Sequence, residues 1–316
     1  MTMKSAWVHS TCVVVLWVSS VLLAEEMPCT NTLSIEMPEY CQKILVNDPL
    51  SAVKNFRPLQ LPPETLLQIK PNTLYRSASL DQLTASDKLW LETKAVKTVV
   101  DFRSFDESAE KPDQLFDTLD FRVALPIGVD TDDPYELRGH EVLKALKGLI
   151  QKKDYRIVSW LLRLSGVNLF KLRIKRYQDF ARDFSFQTAR FMRLLTDRRN
   201  LPLVFHCEGG KDRTGFHAAV VMLTLGFSRE DAINDYLTTN LYTFEKLRDE
   251  MQGLPASLDF LYAAHRAEIA AALDVIQARY PDFENYLQQE LGLSSQAIQA
   301  IRENLLETKA ESPNEL

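Results

Sequence analysis

The sequence predicts an α/β fold in which a mostly parallel central sheet is flanked by helices. Short runs rich in β-branched and other apolar residues, of which Lys97–Phe102 is the clearest, are typical of buried strands. These runs alternate along the chain with longer segments of helical period, such as Gly215–Phe227. Helical crossovers between such strands make neighbouring strands parallel and cover both faces of the sheet.

In the first half of the chain the pattern predicts strands separated by a capped helix. Thr84–Lys94 is the helix, with Thr84 as its N-cap and Asp87 three residues later as the partner in a capping box. Pro126 ends the last strand of this half. The strands are expected within Lys70–Leu80, Lys97–Phe102 and Phe121–Ile127.

The second half of the chain is expected to be mostly helical around one buried strand. That strand is Leu201–Phe205, and the apolar segment Gly215–Phe227 after it reads as a buried helix. Ser228 and Asp231 begin the next helix as a second capping box. Gly292 separates the last two helices. Further helices are predicted by period for Arg176–Asp197, Leu258–Arg279 and Ser295–Glu307.

The charge distribution marks one segment as an insert. The net charge of −6 does not favour a nucleic-acid partner, and the hydrophobic content of 46% is that of an ordinary globular protein. Residues 138–176, however, contain eleven Lys or Arg and only two acidic residues. Apolar residues recur at helical spacing within the same segment. We therefore predict a basic helical insert over residues 138–176.

The N-terminal residues read as a targeting segment. In residues 1–24, Lys4 precedes an apolar stretch that is shorter than the roughly 20 residues of a bilayer-spanning helix. We expect a signal peptide and an exported protein, periplasmic or secreted, with an uncleaved membrane anchor as the alternative. Residues 25–52 follow as an extended lead-in, in which Cys29 and Cys41 either form a disulfide or stay free. The main domain is then 53–308, with a short tail at 309–316.

A ten-residue loop, His206–Gly215 (HCEGGKDRTG), lies between the buried strand and the buried helix. Gly209 and Gly210 let the backbone curl so that its amides converge at a helix N-terminus, which makes an anion site. The same field favours the thiolate form of Cys207. The planar fork of Arg213 suits two oxygens of a tetrahedral oxyanion. A thiolate below a phosphate cradle predicts hydrolysis of phosphate esters by a cysteine nucleophile.

The loop resembles that of the protein tyrosine phosphatase superfamily. It is closest in pattern to bacterial tyrosine and lipid phosphatases whose loop reads His-Cys, two residues, then Gly-Lys-Asp-Arg-Thr-Gly, as residues 210–215 do here. The resemblance covers roughly residues 53–308 and implies a cysteine-phosphatase fold of dual- or triple-specificity type with a helical lid near the insert. Other segments that look like the family's landmarks are Asn55–Arg57, Leu74–Ala78, Asp235–Leu237 with Asn240, and Tyr280–Leu306.

The residues and the resemblance together assign a role to each position of the loop. Cys207 is expected to attack phosphorus and to form a phosphocysteine that water then hydrolyses. The resemblance implies that Lys211 favours phosphoinositide headgroups. His206 is expected either to support the loop or to be a buried histidine whose hydrogen bonds are simply satisfied. No metal or other cofactor is expected. Arg213 and the backbone of Glu208, Gly209, Gly210 and Lys211 are expected to hold the oxygens, while Thr214 stabilises the departing thiolate.

The proton donor for the leaving group is predicted from the resemblance. The family's donor follows a strand that ends in a proline motif, which Leu125–Ile127 resembles, and Asp130 is the nearest aspartate. Its spacing differs by one residue from the family pattern, so Asp132 and Asp133 remain as reserves. Asp212, inside the cradle, is a second candidate and has an alternative role in orienting Lys211 or Arg213.

These observations lead to one function and several alternatives. We expect hydrolysis of phosphotyrosine, with phosphoserine, phosphothreonine and phosphoinositide monoesters as further substrates. The insert, with Trp160 on one helix, covers a core, forms a lid, or rests on an anionic membrane surface. The alternatives are an inositol-polyphosphate phosphatase, a rhodanese-like sulfurtransferase, and a catalytically weak phosphate-binding module.

Overall fold

The computed structural model describes Glu36 and residues 49–59, 67–128 and 134–308, and its centre is a five-stranded sheet. The strand order is β1–β3–β6–β4–β5, in which β1 is antiparallel to β3 and every other pair is parallel, as predicted. A two-stranded sheet joins β2 to β7. The strands are β1 (Arg57–Pro58), β2 (Leu67–Ile69), β3 (Leu74–Ser77), β4 (Thr98–Asp101), β5 (Phe121–Ala124), β6 (Leu203–His206) and β7 (Leu306–Thr308).

Helices cover both faces of the central sheet, which completes the predicted α/β architecture. Capping boxes begin α1 at Thr84 and α8 at Ser228, as the sequence indicated. The helices are α1 (Ala85–Thr93), α2 (Phe105–Glu110), α3 (Pro134–Gln151), α4 (Tyr155–Ser165), α5 (Leu169–Asp183), α6 (Ser185–Leu194), α7 (Asp212–Thr224), α8 (Arg229–Tyr242), α9 (Phe244–Glu250), α10 (Arg266–Arg279), α11 (Phe283–Asn285) and α12 (Ser295–Leu305).

Strand β6 lies at the middle of the sheet and all four of its residues are buried. Successive side chains of a strand point to opposite faces, so Val204 and Phe205 enter different cores. Phe205 packs near Phe102 and Phe191 with ring centroids 6.3 and 5.1 Å away. Val204 belongs to the core on the other face, which includes Phe56 and other buried residues. Burial on both faces fixes the position of the residue that follows β6.

The basic insert is helical and comprises most of α3, all of α4 and the first half of α5. Helices α3 and α4 share an apolar cluster with the start of α5 and the 258–260 segment. At Gly139 the backbone of α3 approaches α5 so closely that an added Cβ would lie 2.0 Å from Leu172 Cδ1. A larger residue at position 139 would therefore require the Leu172 side chain to move.

Three predicted helix boundaries are wrong, each for a local reason. The single helix expected over Arg176–Asp197 is two helices, because the backbone leaves the helical region at Phe184 (φ −114°). The helix expected from Leu258 begins only at Arg266, where Glu268 caps the backbone of His265. The helix expected to reach Glu307 ends at Leu305, because the next residues pair with β2 as strand β7.

Several predictions fall on residues outside the described ranges. The signal peptide (1–24) and the tail (309–316) lie outside them. So does the lead-in with Cys29 and Cys41, except for Glu36 and residues 49–52. The predicted acidic turn with Asp130, Asp132 and Asp133 lies outside them as well. They stay predictions. Among the residues that the structure does describe, no helix has the length and apolar character needed to cross a membrane.

Candidate active site

The loop that follows β6 lies at the carboxyl edge of the parallel strands, where ligands bind in open α/β sheets. His206 at the end of β6 is in register with Ser77 of β3 and Asp101 of β4, so residues after these three strands converge. Cys207 comes next and is 3% exposed. Helix α7 begins at Asp212, so its positive N-terminal end faces the loop.

The loop carbonyls are held from outside by two buried residues. Asn55 Nδ2 donates to the carbonyls of Gly209 and Gly210 at 3.3 and 2.9 Å. Arg76 Nη2 donates to the Gly210 carbonyl at 2.8 Å. Across a trans peptide the C=O and the following N–H point in opposite directions. The amides of Gly210 and Lys211 therefore point to the inner side of the loop, as an anion cradle requires.

Gly210 is required by this geometry, whereas Gly209 is not. Gly210 has φ +66°, and a Cβ there would lie 2.5 Å from the backbone carbonyl atoms of Ser77. Backbone cannot move aside as a flexible side chain can, so any larger residue would separate the loop from β3. A Cβ at Gly209 would meet no atom within 4 Å.

The two anchors belong to a buried ionic cluster. Arg76 is fully buried and forms a salt bridge with Asp235 of α8. Arg57 Nη2 donates to the Asp235 backbone carbonyl at 3.0 Å and its Nη1 donates to Asn55 Oδ1. The residues of this cluster belong to segments that the family resemblance singled out. In the structure these segments meet on the outer side of the loop.

One edge of the Arg213 guanidinium is hydrogen-bonded to the protein, and the N–H groups of another edge are free among the described residues. Its Nη1 and Nη2 donate to the Glu107 carboxylate at 2.5 and 2.8 Å, and Nη1 also lies 3.3 and 3.1 Å from the carbonyls of Phe102 and Ile127. A guanidinium carries five N–H donors. Among the described residues, none accepts from Nε or from the second Nη2 hydrogen. These two N–H groups form a fork to which two oxygens of an oxyanion can bind.

Glu107 is a site residue that the sequence analysis missed. Burial would raise its pKa, but the bonds to Arg213 outweigh burial and lower the pKa of Glu107 to about 2. The same residue closes the capping box of α2 with Ser104. A Ser-x-x-Glu pattern directly after β4 was visible in the sequence, and the register of β4 with β6 brings it beside the loop.

His206 lies between Asp113 and the backbone of Cys207, a position that fits the supporting role considered for it. It is fully buried, its Nε2 lies 2.9 Å from Asp113 Oδ2, and its Nδ1 lies 3.2 Å from the Cys207 carbonyl. Burial would raise the pKa of Asp113, but His206 and Arg103 outweigh burial and lower it.

The sequence showed no cluster with metal-ligand spacing, yet the fold gathers Asp101, Asp113 and His206 with ligand atoms within 4.8 Å of one another. The Arg103 guanidinium already lies between the two carboxylates. Its Nη2 is 2.7 Å from Asp101 and 2.8 Å from Asp113. The cation that these carboxylates bind is therefore Arg103, and the cluster belongs to the support of the loop.

Asp212 is held by the insert and stays ionised. Arg173 of α5 donates to its Oδ1 at 2.8 Å and to Glu268 at 2.6 Å, and the Tyr177 hydroxyl also donates to Asp212. Burial alone would raise the pKa of Asp212, but Lys211 and Arg173 outweigh it and hold that pKa well below its usual range. Of the two roles left open for Asp212, this geometry favours orientation over proton donation.

The remaining predicted residues are placed as follows. Lys211 Nζ donates to the Ala263 carbonyl at 3.0 Å, and burial lowers the pKa of Lys211. Thr214 is fully buried, and its hydroxyl has no hydrogen-bond partner among the described residues. The side chain of Glu208 points outward to Lys111 Nζ, 2.6 Å away at the surface.

An α/β sheet that ends in an anion-binding loop, with a cysteine at its base and an arginine fork in the next helix turn, is the arrangement that hydrolysis of phosphate esters by a cysteine nucleophile requires. The model of the tyrosine phosphatase family matches residues 48–307, and the chain belongs to this family. It is therefore a phosphatase that acts on phosphotyrosine, as the resemblance of the loop implied.

Known proteins similar to this chain include a triple specificity protein phosphatase, PtpB, from Mycobacterium tuberculosis. It is 28% identical over 274 residues, which cover 80% of this chain and 96% of the relative. A tyrosine-protein phosphatase of Nostoc commune is 25% identical over 252 residues, or 75% of each chain. The solved structure of P. aeruginosa TpbA has 19% sequence identity, covers 70% of this chain and 97% of its own, and has a TM-score of 0.27.

Proposed function

We propose that this phosphatase hydrolyses phosphotyrosine through a phosphocysteine intermediate formed on Cys207. The observation that carries the proposal is the open fork of Arg213. It follows a loop whose amides point to the inner side, where an anion would bind. Glu107 holds the opposite edge of that guanidinium, so the fork is set before substrate binds. Preorganised donors of this kind stabilise the equatorial oxygens as negative charge redistributes.

The reaction then has two steps. The Cys207 sulfur attacks phosphorus, a bond from sulfur to phosphorus forms, and the bond to the tyrosine oxygen breaks as an acid protonates that oxygen. Water next attacks the phosphocysteine, inorganic phosphate leaves, and the sulfur departs as thiolate. The Thr214 hydroxyl, buried and unpartnered among the described residues, is the group available to donate to that thiolate.

We assign the proton donor to Asp130, two residues after Gly128 in the sequence and outside the described ranges. Asp212 is a poor candidate because its neighbours keep it ionised. Asp130→Asn should slow hydrolysis of a phosphotyrosine peptide by roughly 10² to 10⁴ and flatten the basic limb of the pH–rate profile, since that limb reports loss of the donor proton. The measurement is kcat against pH for Asp130→Asn and Asp132→Asn. Loss of the limb in Asp132→Asn, with Asp130→Asn unaffected, would reassign the acid.

A second substrate class, phosphoinositides in a membrane, is favoured by one face of the insert. Ile157, Trp160 and Leu164 of α4 are 48%, 60% and 65% exposed, and their spacing places them on one side of the helix. Arg156 and Arg163 flank them and are also exposed. We call these five residues the α4 face. Apolar side chains ringed by cations suit the interface of an anionic bilayer.

The name of the M. tuberculosis relative, a triple specificity phosphatase, supports a range of substrates wider than phosphotyrosine. Lys211, which the family resemblance linked to lipid substrates, binds backbone carbonyls of the 262–263 segment in this structure. The case for a lipid substrate therefore depends on the α4 face rather than on Lys211.

A substrate panel with a chelator present tests both parts of the proposal. We expect turnover of a phosphotyrosine peptide and of phosphoinositide in vesicles of phosphatidylcholine and phosphatidylserine. Replacing Arg156, Trp160 and Arg163 with Gln should weaken vesicle binding by roughly thirtyfold or more, because each cation near the surface contributes about 1 kcal/mol. Turnover of the soluble peptide should persist.

The matched control is Lys88→Gln with Leu89→Gln on α1, where Leu89 is 61% exposed but lies outside the insert. It should leave vesicle binding unchanged. Wild-type protein that fails to bind the vesicles, or binds them independently of the α4 face and of salt, would remove the lipid substrate and leave the phosphotyrosine activity in place. Preference for free inositol phosphates would favour the inositol-polyphosphate alternative.

A further inference from the structure

A cavity of about 220 Å³ opens between α3 and α5 beside the catalytic loop. Two contacts place it there. Gly128 lines the cavity and follows Ile127, whose carbonyl is 3.1 Å from Arg213 Nη1. Arg173 lines it too and forms a salt bridge with Asp212 at 2.8 Å. The cavity therefore adjoins the Arg213 side of the loop.

The cations of this cavity differ in whether an anion balances them. Arg173 is balanced by Asp212 and Glu268. Lys175 forms a salt bridge with Asp179 at 3.2 Å. Arg176 has no carboxylate within salt-bridge distance among the described residues, and its Nη2 only approaches His140 Nε2 at 3.5 Å. Among the cations that line the cavity, Arg176 is the one that no carboxylate of the described residues neutralises.

The surroundings of Arg176 disfavour its charge. Burial lowers the pKa of Arg176, and although Asp212 acts in the opposite direction, the charges of Arg173 and Arg213 lower it further. A guanidinium nevertheless stays charged at any physiological pH. A largely desolvated cation among other cations is destabilising unless an anion joins it. Such an arrangement is expected where the anion comes from a ligand.

We propose that Arg176 binds a second anionic group of the substrate, an acidic residue next to the phosphotyrosine of a peptide. The proposal rests on phosphotyrosine hydrolysis at Cys207. The cavity is smaller than the roughly 300–1,000 Å³ of sites that enclose a whole small molecule, so it suits one side chain. Leu143, Leu172 and Phe260 line it with Arg176, and they offer contact to the methylene groups of a glutamate.

Two carboxylates of α5 also line the wall. Asp179 forms a salt bridge with Lys175 at 3.2 Å, and Asp183 lies seven residues after Arg176. Seven residues of α-helix span about 10 Å, so Arg176 and Asp183 are two turns apart. Asp183 is also exposed. Arg173 and Arg176 line the cavity together, and Arg173 contacts Asp212 of the catalytic loop, so a residue next to a bound phosphotyrosine would meet these two cations.

The test is a cycle that changes one charge on the enzyme and one on the substrate. Phosphotyrosine peptides carry Glu or Gln at each of the two positions on either side of the phosphotyrosine, and a further peptide carries a second phosphotyrosine there. The wild type should prefer the best-placed Glu over Gln about tenfold in kcat/KM, the size expected for a charge-assisted bond. Arg176→Gln should abolish that preference, mainly through KM.

Arg182→Gln is the matched control, since Arg182 lies on the same helix, is exposed and does not line the cavity. It should keep the preference for Glu. Equal preferences in wild type and Arg176→Gln, with the peptides still hydrolysed, would overturn the subsite and leave the proposed function intact. Failure to hydrolyse any peptide would instead overturn the proposed function. A preference confined to the second phosphotyrosine would identify phosphate, and not carboxylate, as the group that Arg176 binds.

Discussion

Replacing Cys207 with serine is expected to abolish turnover while leaving phosphate binding intact. Serine keeps the size of the side chain at a position that is 3% exposed, so the loop should retain its shape. A hydroxyl without a base is a far weaker nucleophile than a thiolate. Loss of the nucleophile in a serine protease costs on the order of 10⁶-fold. We expect a loss of comparable size in kcat on an aryl phosphate.

Binding should survive because the groups that hold the oxyanion are not on Cys207. They are the loop amides, which Asn55 and Arg76 hold in place, and the fork of Arg213. Titration calorimetry with inorganic phosphate measures this directly. The double variant Cys29→Ser with Cys41→Ser is the matched control and should turn over normally. A Cys207→Ser enzyme within tenfold of the wild-type rate would exclude the covalent mechanism.

The loop could be predicted from the sequence because its chemistry is contiguous. The buried strand, Cys207, the two glycines and Arg213 follow one another within about a dozen residues. Their order alone places a cysteine below an anion site at the edge of a sheet. The glycine pattern did not say which glycine is essential, since that depends on the approach of Ser77 from another strand to Gly210.

The partners of the loop could not be predicted in the same way. Glu107, Asp113 and Arg173 lie between 39 and 106 residues before the residues that they bind. They meet those residues only because β4 is in register with β6 and α5 packs beside α7. Glu107 alone had a local signal, the capping box with Ser104, which indicates a helix start but not an arginine partner.

Helix boundaries in the second half of the chain also could not be predicted from the local sequence pattern alone. Apolar periodicity runs through Phe184 without a break, yet the helix ends there, where the backbone φ is −114°. Glu307 continues the helical period, but pairing of β7 with β2 takes it into a strand. At Glu307 a tertiary contact overrides a pattern that is locally consistent with one helix.

Arg213→Lys is expected to be the second most damaging substitution. A lysine keeps the charge but replaces the planar fork by a single point of donation, so it cannot hold Glu107 and two phosphate oxygens together. Loss of one preorganised oxyanion donor typically costs roughly 10² to 10³ in rate. We expect a fall of this size or more in kcat on an aryl phosphate, and phosphate binding should weaken as well, unlike in Cys207→Ser.

Lys111→Gln is the matched control, because Lys111 lies at the rim of the same loop in a surface pair that is about half exposed and contributes little. Burial would raise the pKa of Glu107, but the bonds to Arg213 outweigh it and lower that pKa from 4.5 to about 2. The pair therefore persists as pH falls through the usual carboxylate range and is lost only near pH 2. The deficit of Arg213→Lys should therefore be the same at every pH from 5 to 8, which kcat measured across that range will determine. A deficit that disappears toward either end, or a near-normal rate throughout, would mean that Arg213 shapes the loop without binding the phosphoryl group.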